Sequence, residues 1–178
     1  MRKLLVTLLI ITSSLLAFDN PKADFTITKV ILAEGEKLDT SIGTIHSKYG
    51  ITRPTLKRYN GSTKVENLTK QQAKTIIYEL YWVDYGLDRF MDKRNALLVL
   101  DFIYNSNPIN AIKQIQKALG NKVTGKLSVG DIADINYMGY KDFYTIYARQ
   151  RLGYMKKSSS WVTFKGGWAK RVESLGNL

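Results

Sequence analysis

Glu34 closes the run DFTITKVILAE and is followed at once by Gly35. If that run is helical, Ile27, Val30 and Ile31 precede Glu34 at spacings that put all four side chains on one stripe. The stripe is apolar, so it predicts a buried face with a carboxylate at its rim. Gly35 suits the position just past a helix end, which leaves Glu34 near the negative end of the helix dipole. Partial desolvation and that dipole both favour the protonated carboxyl, the form a general acid needs. A helix-end glutamate turned to water is the alternative reading of the same pattern.

Residue inventory narrows the other chemistries. There is no cysteine, and His46 is the single histidine. Thiol nucleophiles and disulfides are excluded. A zinc hydrolase, which normally takes two or three His or Cys ligands, is not expected, and neither is any other metal or cofactor. A Ser-His-Asp hydrolase would have to use His46, and no G-x-S-x-G elbow occurs; His46 reads as a loop residue. If the protein is an enzyme, carboxylate chemistry is what remains. Asp101 is the other conspicuous acid, because it interrupts LLVLDFI, a segment otherwise apolar all round. It requires a hydrogen-bonding partner, a cation or a functional role.

These acids need elements to position them, and the chain reads as a series of helices. Asn20 and Pro21 supply a cap and first residue for the helix that ends at Glu34. GEKLDTSIGTIHSKYGIT has turn formers and no helical stripe, so it reads as a loop or small irregular excursion. Thr52 and Pro54 start a second helix through Leu56 and Tyr59, stopped by Asn60-Gly61. Thr69 and Gln72 form a capping box for a helix with Ala73, Ile76, Ile77 and Leu80 on its apolar stripe. Tyr78, Tyr81, Trp82 and Tyr85 crowd that segment as core residues or as a polar-tipped rim. The central helix around Asp101 gives way at Asn107-Pro108 to an amphipathic one ending at Gly120. After the turn NKVTGKLS come three more: one through Val129, Ile132 and Ile135, one through Phe143, Ile146, Tyr147 and Leu152, and one in WVTFKGGWAKRVESL. No internal repeat or long linker is evident, and the fold class expected is all-α.

The first twenty residues, MRKLLVTLLIITSSLLAFDN, begin with Arg2 and Lys3 and continue as a short apolar run containing hydroxyl residues. This is the pattern of a secretory signal, with Ala17 as the last residue before cleavage. Residues 1–17 are therefore expected to be removed, leaving a chain with no stable membrane insertion. The whole chain carries a net charge of +12, and loss of Arg2 and Lys3 would leave +10. An exported basic protein suits an anionic partner, and charge alone does not choose among wall polymer, lipopolysaccharide and nucleic acid. The excess is uneven: residues 141 to 178 carry eight Lys or Arg, among them Lys156, Lys157, Lys165 and Lys170, against Asp142 and Glu173.

Six blocks in order, namely Glu34-Gly35, Tyr49-Gly50-Ile51-Thr52, YWVDY, Asp101-Phe102-Ile103-Tyr104-Asn105, AIKQIQKALG with VTGKLS, and KGGWAKRV, resemble glycoside hydrolase family 108. The resemblance implies an N-terminal lysozyme-like half and a C-terminal peptidoglycan-binding half, both helical. It also implies N-acetylmuramidase activity, with the Glu of the family's Glu-Gly-Gly motif carried over to Glu34 as catalytic acid. Two departures stand out. The second glycine is replaced by Glu36, and the family's Asp-x-Gly-Gly segment is not recognisable before Gly50. Asp39 does not match its spacing, so a second catalytic carboxylate does not transfer; Asp39, or a hydroxyl such as Thr52 or Tyr49 positioning water, stays open.

The resulting expectation is an exported muramidase of the periplasm or cell envelope, or secreted. Residues 18–94 would form the catalytic half and 95–178 the wall-binding half. Glu34 is the expected acid, and Tyr49, Thr52, Trp82 and Asn105 the expected saccharide contacts. Peptidoglycan glycan strands are the expected partner of a monomer that does not bind nucleic acid. The alternative function is a catalytically inactive wall-binding or envelope-assembly protein.

Overall fold

A computed structural model of the chain describes residues 19–40, 46–59 and 63–178. The expected signal segment and the expected Asn60-Gly61 helix stop lie outside the described residues. Two compact units divide the chain, the first ending at Asp88 and the second beginning at Arg89. The architecture is all-α: eight α-helices and one short hairpin occur among the described residues. None of those helices is long and apolar enough to cross a membrane.

In the first unit, α1 spans Pro21–Glu34. Asn20 caps it by accepting a hydrogen bond from the Ala23 N–H, and Pro21 occupies the first turn, where its missing N–H is no loss. Ala23, Ile27, Val30 and Ile31 are essentially inaccessible. Burying one such aliphatic side chain contributes about 1.5–3 kcal/mol, so this face fixes the roll of α1. It packs on α3, Lys70–Ile77, and on the π-helical turn Tyr78–Val83 that continues it. Lys74 reaches across to Asp24 at 2.6 Å. Thr69 and Gln72 close the capping box that starts α3.

The π turn changes the expected stripe. Ala73, Ile76 and Ile77 are buried, whereas Leu80 is only half-buried and Tyr81 and Trp82 take its place in the core. A π turn accommodates an extra residue, which moves the buried face on by about one position.

The segment read as an irregular loop contains a hairpin, β1 Ser47–Lys48 paired antiparallel with β2 Ile51–Thr52. Tyr49 (φ 57°) and Gly50 (φ 77°) form its two-residue turn, both in the left-handed region required by a type I′ hairpin. α2, Arg53–Tyr59, follows directly, with Thr52 accepting from the Thr55 N–H. A 3-10 turn, Val65–Asn67, packs against β1.

The second unit consists of α4 (Lys93–Asn105), α5 (Pro108–Leu119), α6 (Val129–Met138), α7 (Tyr140–Met155) and α8 (Trp161–Ser174). α7 touches each of the other four. Asn107 caps α5, and Gly120 ends it in the left-handed conformation. Gln116, buried in α5, organises the turn that follows. Its Oε1 accepts from the N–H groups of Thr124 and Gly125, and its Nε2 donates to Thr124, Lys126 and Asp131. All its polar capacity is thus spent inside the fold.

Candidate active site

The C-terminal end of α1 sets Glu34 at the edge of the first unit's core. Glu34 is half-buried, and its Oε1 is shielded from solvent. The next residue, Gly35, turns the chain at φ 82° and ψ 163° while its N–H still bonds to the Ile31 carbonyl at 3.0 Å. Only glycine adopts that backbone conformation at low cost. The chain leaves α1 abruptly, so Glu34 stays at the rim.

Two contacts hold the segment beyond. Glu36 accepts from Lys70 Nζ at 2.8 Å, and this bond raises the Lys70 pKa. Asp39 and Ser47 exchange backbone hydrogen bonds of 2.7 and 3.0 Å, adding a bridge to the outer edge of the hairpin. Asp39 is exposed there. The Gly-to-Glu departure from the family pattern is therefore part of a surface ion pair with the first turn of α3.

Of the residues read as saccharide contacts, Tyr49 is 7% exposed, and Lys48 Nζ lies 5.6 Å from its ring centroid. Thr52 caps α2. Trp82 is 1% exposed and packs in the core of the first unit, where its Nε1 meets no acceptor among the described residues. Asn105 lies in the second unit, exposed at the end of α4, and donates to the Asp101 carbonyl at 2.9 Å. Glu34, Tyr49, Thr52 and Trp82 thus share the first unit, and Asn105 does not.

Asp101 is engaged in structure. It is 1% exposed, and Arg151 Nη1 donates to its Oδ2 at 2.6 Å. Arg171 adds Nη2 to Oδ1 at 2.6 Å and Nε to Oδ1 at 2.9 Å. Burial alone would raise the Asp101 pKa; the Arg151 and Arg171 charges and their hydrogen bonds outweigh it and hold the carboxyl below its usual range. Arg151 also donates to the Tyr147 hydroxyl and lies over the Phe102 ring. Burial pushes the Tyr147 phenol well above its usual range, so it stays neutral.

One pair near the hairpin escaped sequence reasoning. His46 Nδ1 lies 3.0 Å from Glu66 Oε1 on the Val65–Asn67 turn. The His46 hydrogen bond, aided by the backbone N–H of Glu66, lowers the Glu66 pKa. Nothing in the sequence links the two residues, because the pairing depends on how the turn folds back onto β1. No group of three or more His, Cys, Asp or Glu suited to a metal ion occurs among the described residues.

Residues 28–106 match the family model Glycosyl hydrolase 108, a region that includes Glu34, the hairpin, α2, α3 and α4. A solved structure titled "Structure of Brucella abortus SagA" aligns with a TM-score of 0.74 and 27% sequence identity, covering 87% of this chain and 94% of that one. The sequence has no significant match among curated proteins. The resemblance read from the six sequence blocks and the lysozyme-like, all-helical fold class are both borne out.

Proposed function

We propose that this chain, a glycoside hydrolase with a family 108 region over residues 28–106, is an exported N-acetylmuramidase whose general acid is Glu34. The bond cleaved is the β-1,4 link between N-acetylmuramic acid and N-acetylglucosamine in peptidoglycan glycan strands. The seat of Glu34 carries this reading: a rim carboxyl on the buried face of α1, followed by a glycine-only turn, inside the matched region. In glycoside hydrolysis a carboxylic acid protonates the leaving oxygen while the anomeric centre gains oxocarbenium character. Glu34 has the residue type and the partial shielding for that role.

Residues 1–17 are assigned as a removable signal, 18–94 as the catalytic half and 95–178 as the wall-binding half of a monomer acting in the envelope or outside it, with no role for nucleic acid. Tyr49 and Thr52 on the hairpin, and Asn105 in the second unit, are assigned as saccharide contacts. Trp82 joins them through its buried Nε1, a donor that would gain an acceptor if a sugar reached it. An inactive wall-binding protein is favoured by one observation, the Glu36–Lys70 pair that stands where the family has a glycine.

Glu34→Gln tests the assignment. Its amide is nearly isosteric and has no proton to transfer, so release of muropeptides from purified peptidoglycan, read by mass spectrometry, should fall at least about 100-fold. Melting temperature and sacculus binding should not change. A variant that digests wall at the native rate refutes the acid, and a wild-type chain that binds wall without releasing fragments establishes the inactive alternative.

A further inference from the structure

Hydrolysis requires a group to handle the attacking water as well as one to protonate the leaving oxygen. Around the hairpin, the His46–Glu66 pair has the form of a base with its orienting carboxylate. An ionised carboxylate can only accept, so the proton of neutral His46 sits on Nδ1, facing Glu66 Oε1 at 3.0 Å. Nε2 then carries the free lone pair. It makes no hydrogen bond among the described residues, and the imidazole is 42% exposed. Glu66 is itself held in place: Lys48 Nζ donates to its main-chain oxygen at 3.2 Å, and its Oε2 is buried without a protein donor among the described residues.

Two links join this pair to the segment that begins at Glu34. The Asp39–Ser47 bridge pins the residue after His46 beside a residue five places beyond Glu34. The Glu36–Lys70 pair ties the second residue after Glu34 to α3, whose first residue is four places beyond Glu66. The segments that carry the dyad are thereby tied to the segment that leaves the acid.

We propose that His46, positioned by Glu66, is the general base that activates water for attack opposite Glu34. This rests on the muramidase reading. Water oxygen bonds to the anomeric carbon of the muramic acid residue while its proton passes to His46 Nε2. The bond from that carbon to the glucosamine O4 breaks, its electron pair goes to O4, and O4 takes the Glu34 proton. The imidazolium formed is stabilised by Glu66, in the manner of other carboxylate–histidine pairs. Attack by water on the opposite face inverts the anomeric centre.

His46→Gln and Glu66→Gln, compared with Glu34→Gln on a soluble glycan oligomer and on an aryl glycoside, test the assignment. His46→Gln should lose at least about 100-fold in kcat with KM little changed. Azide should restore its turnover of the aryl glycoside as an inverted glycosyl azide. Glu34→Gln should recover on that same substrate without azide, since its leaving group needs no proton. Glu66→Gln should keep part of the activity, losing kcat with KM and melting temperature little changed, which a merely structural role would not do, and it serves as the test should His46→Gln fail to fold. A folded His46→Gln with native kcat, or a first product of retained configuration, overturns the dyad alone if Glu34→Gln is inactive on the glycan oligomer. Native activity of Glu34→Gln on that oligomer overturns the reading beneath it.

Discussion

Gly35 is the residue on which the placing of Glu34 turns. Its φ of 82° and ψ of 163° fall where a side chain is strained by its own backbone, yet a Cβ built there meets no atom within 4 Å. Gly35→Ala should therefore cost about 1–3 kcal/mol through backbone strain alone, with no clash to relieve. If the turn relaxes instead, the acid moves. The expected result is a larger fractional loss in kcat than the melting temperature accounts for; equal kcat with a lowered melting temperature would separate the turn from the chemistry. Glu34 was legible in the sequence because helix period and a following glycine are local signals. Glu66 was not, since a pair formed across twenty residues and a hairpin leaves no periodic trace.

At the scale of elements, helix ends were readable for the same reason: the side chains of Asn20, Thr69 and Asn107 bond within three residues of themselves. The hairpin was hidden because strands of two residues are too short to show alternation, and the π turn because it shifts a helical stripe without erasing it. Hidden too was the clasp that fastens α4 to α7 and α8, since Asp101 meets Arg151 and Arg171 at separations of 50 and 70 residues. Removing one member of such a buried pair leaves the other charge uncompensated, at about 3–5 kcal/mol. Asp101→Ala should lower the melting temperature by roughly 10 °C on that scale, far more than Glu34→Gln. Asp101→Leu with Arg151→Met and Arg171→Met should recover much of the loss, because apolar groups then replace all three charges of the clasp. Since the folded pKa of Asp101 is depressed, its stabilisation is complete above the unfolded carboxylate range and fades as pH falls through the folded value. Acid unfolding followed by circular dichroism should begin at higher pH in Asp101→Ala; coincident transitions would mean that the clasp contributes little.

For the whole molecule the governing quantity is charge, and here composition was informative without any fold. The net +12 of the full chain is uneven, and Lys156, Lys157, Lys165 and Lys170 are all exposed on and around α8. Exposed charges of one sign create a field that concentrates a polyanion near the surface without touching the bond to be cut. Neutralising the four together should weaken adsorption to intact sacculi and slow their digestion, while kcat on a short soluble oligomer stays within about twofold, since the charge field is not needed to hold a freely diffusing substrate. Salt offers an independent check. Over the roughly 10 Å screening length of 0.1 M electrolyte, added salt should reproduce the mutant's loss in the wild type and have little further effect on the mutant. Adsorption that stays constant from low to high salt would assign wall binding to saccharide contacts and take the lysines out of the account. A loss of kcat on the soluble oligomer would instead place one of the four within reach of the substrate.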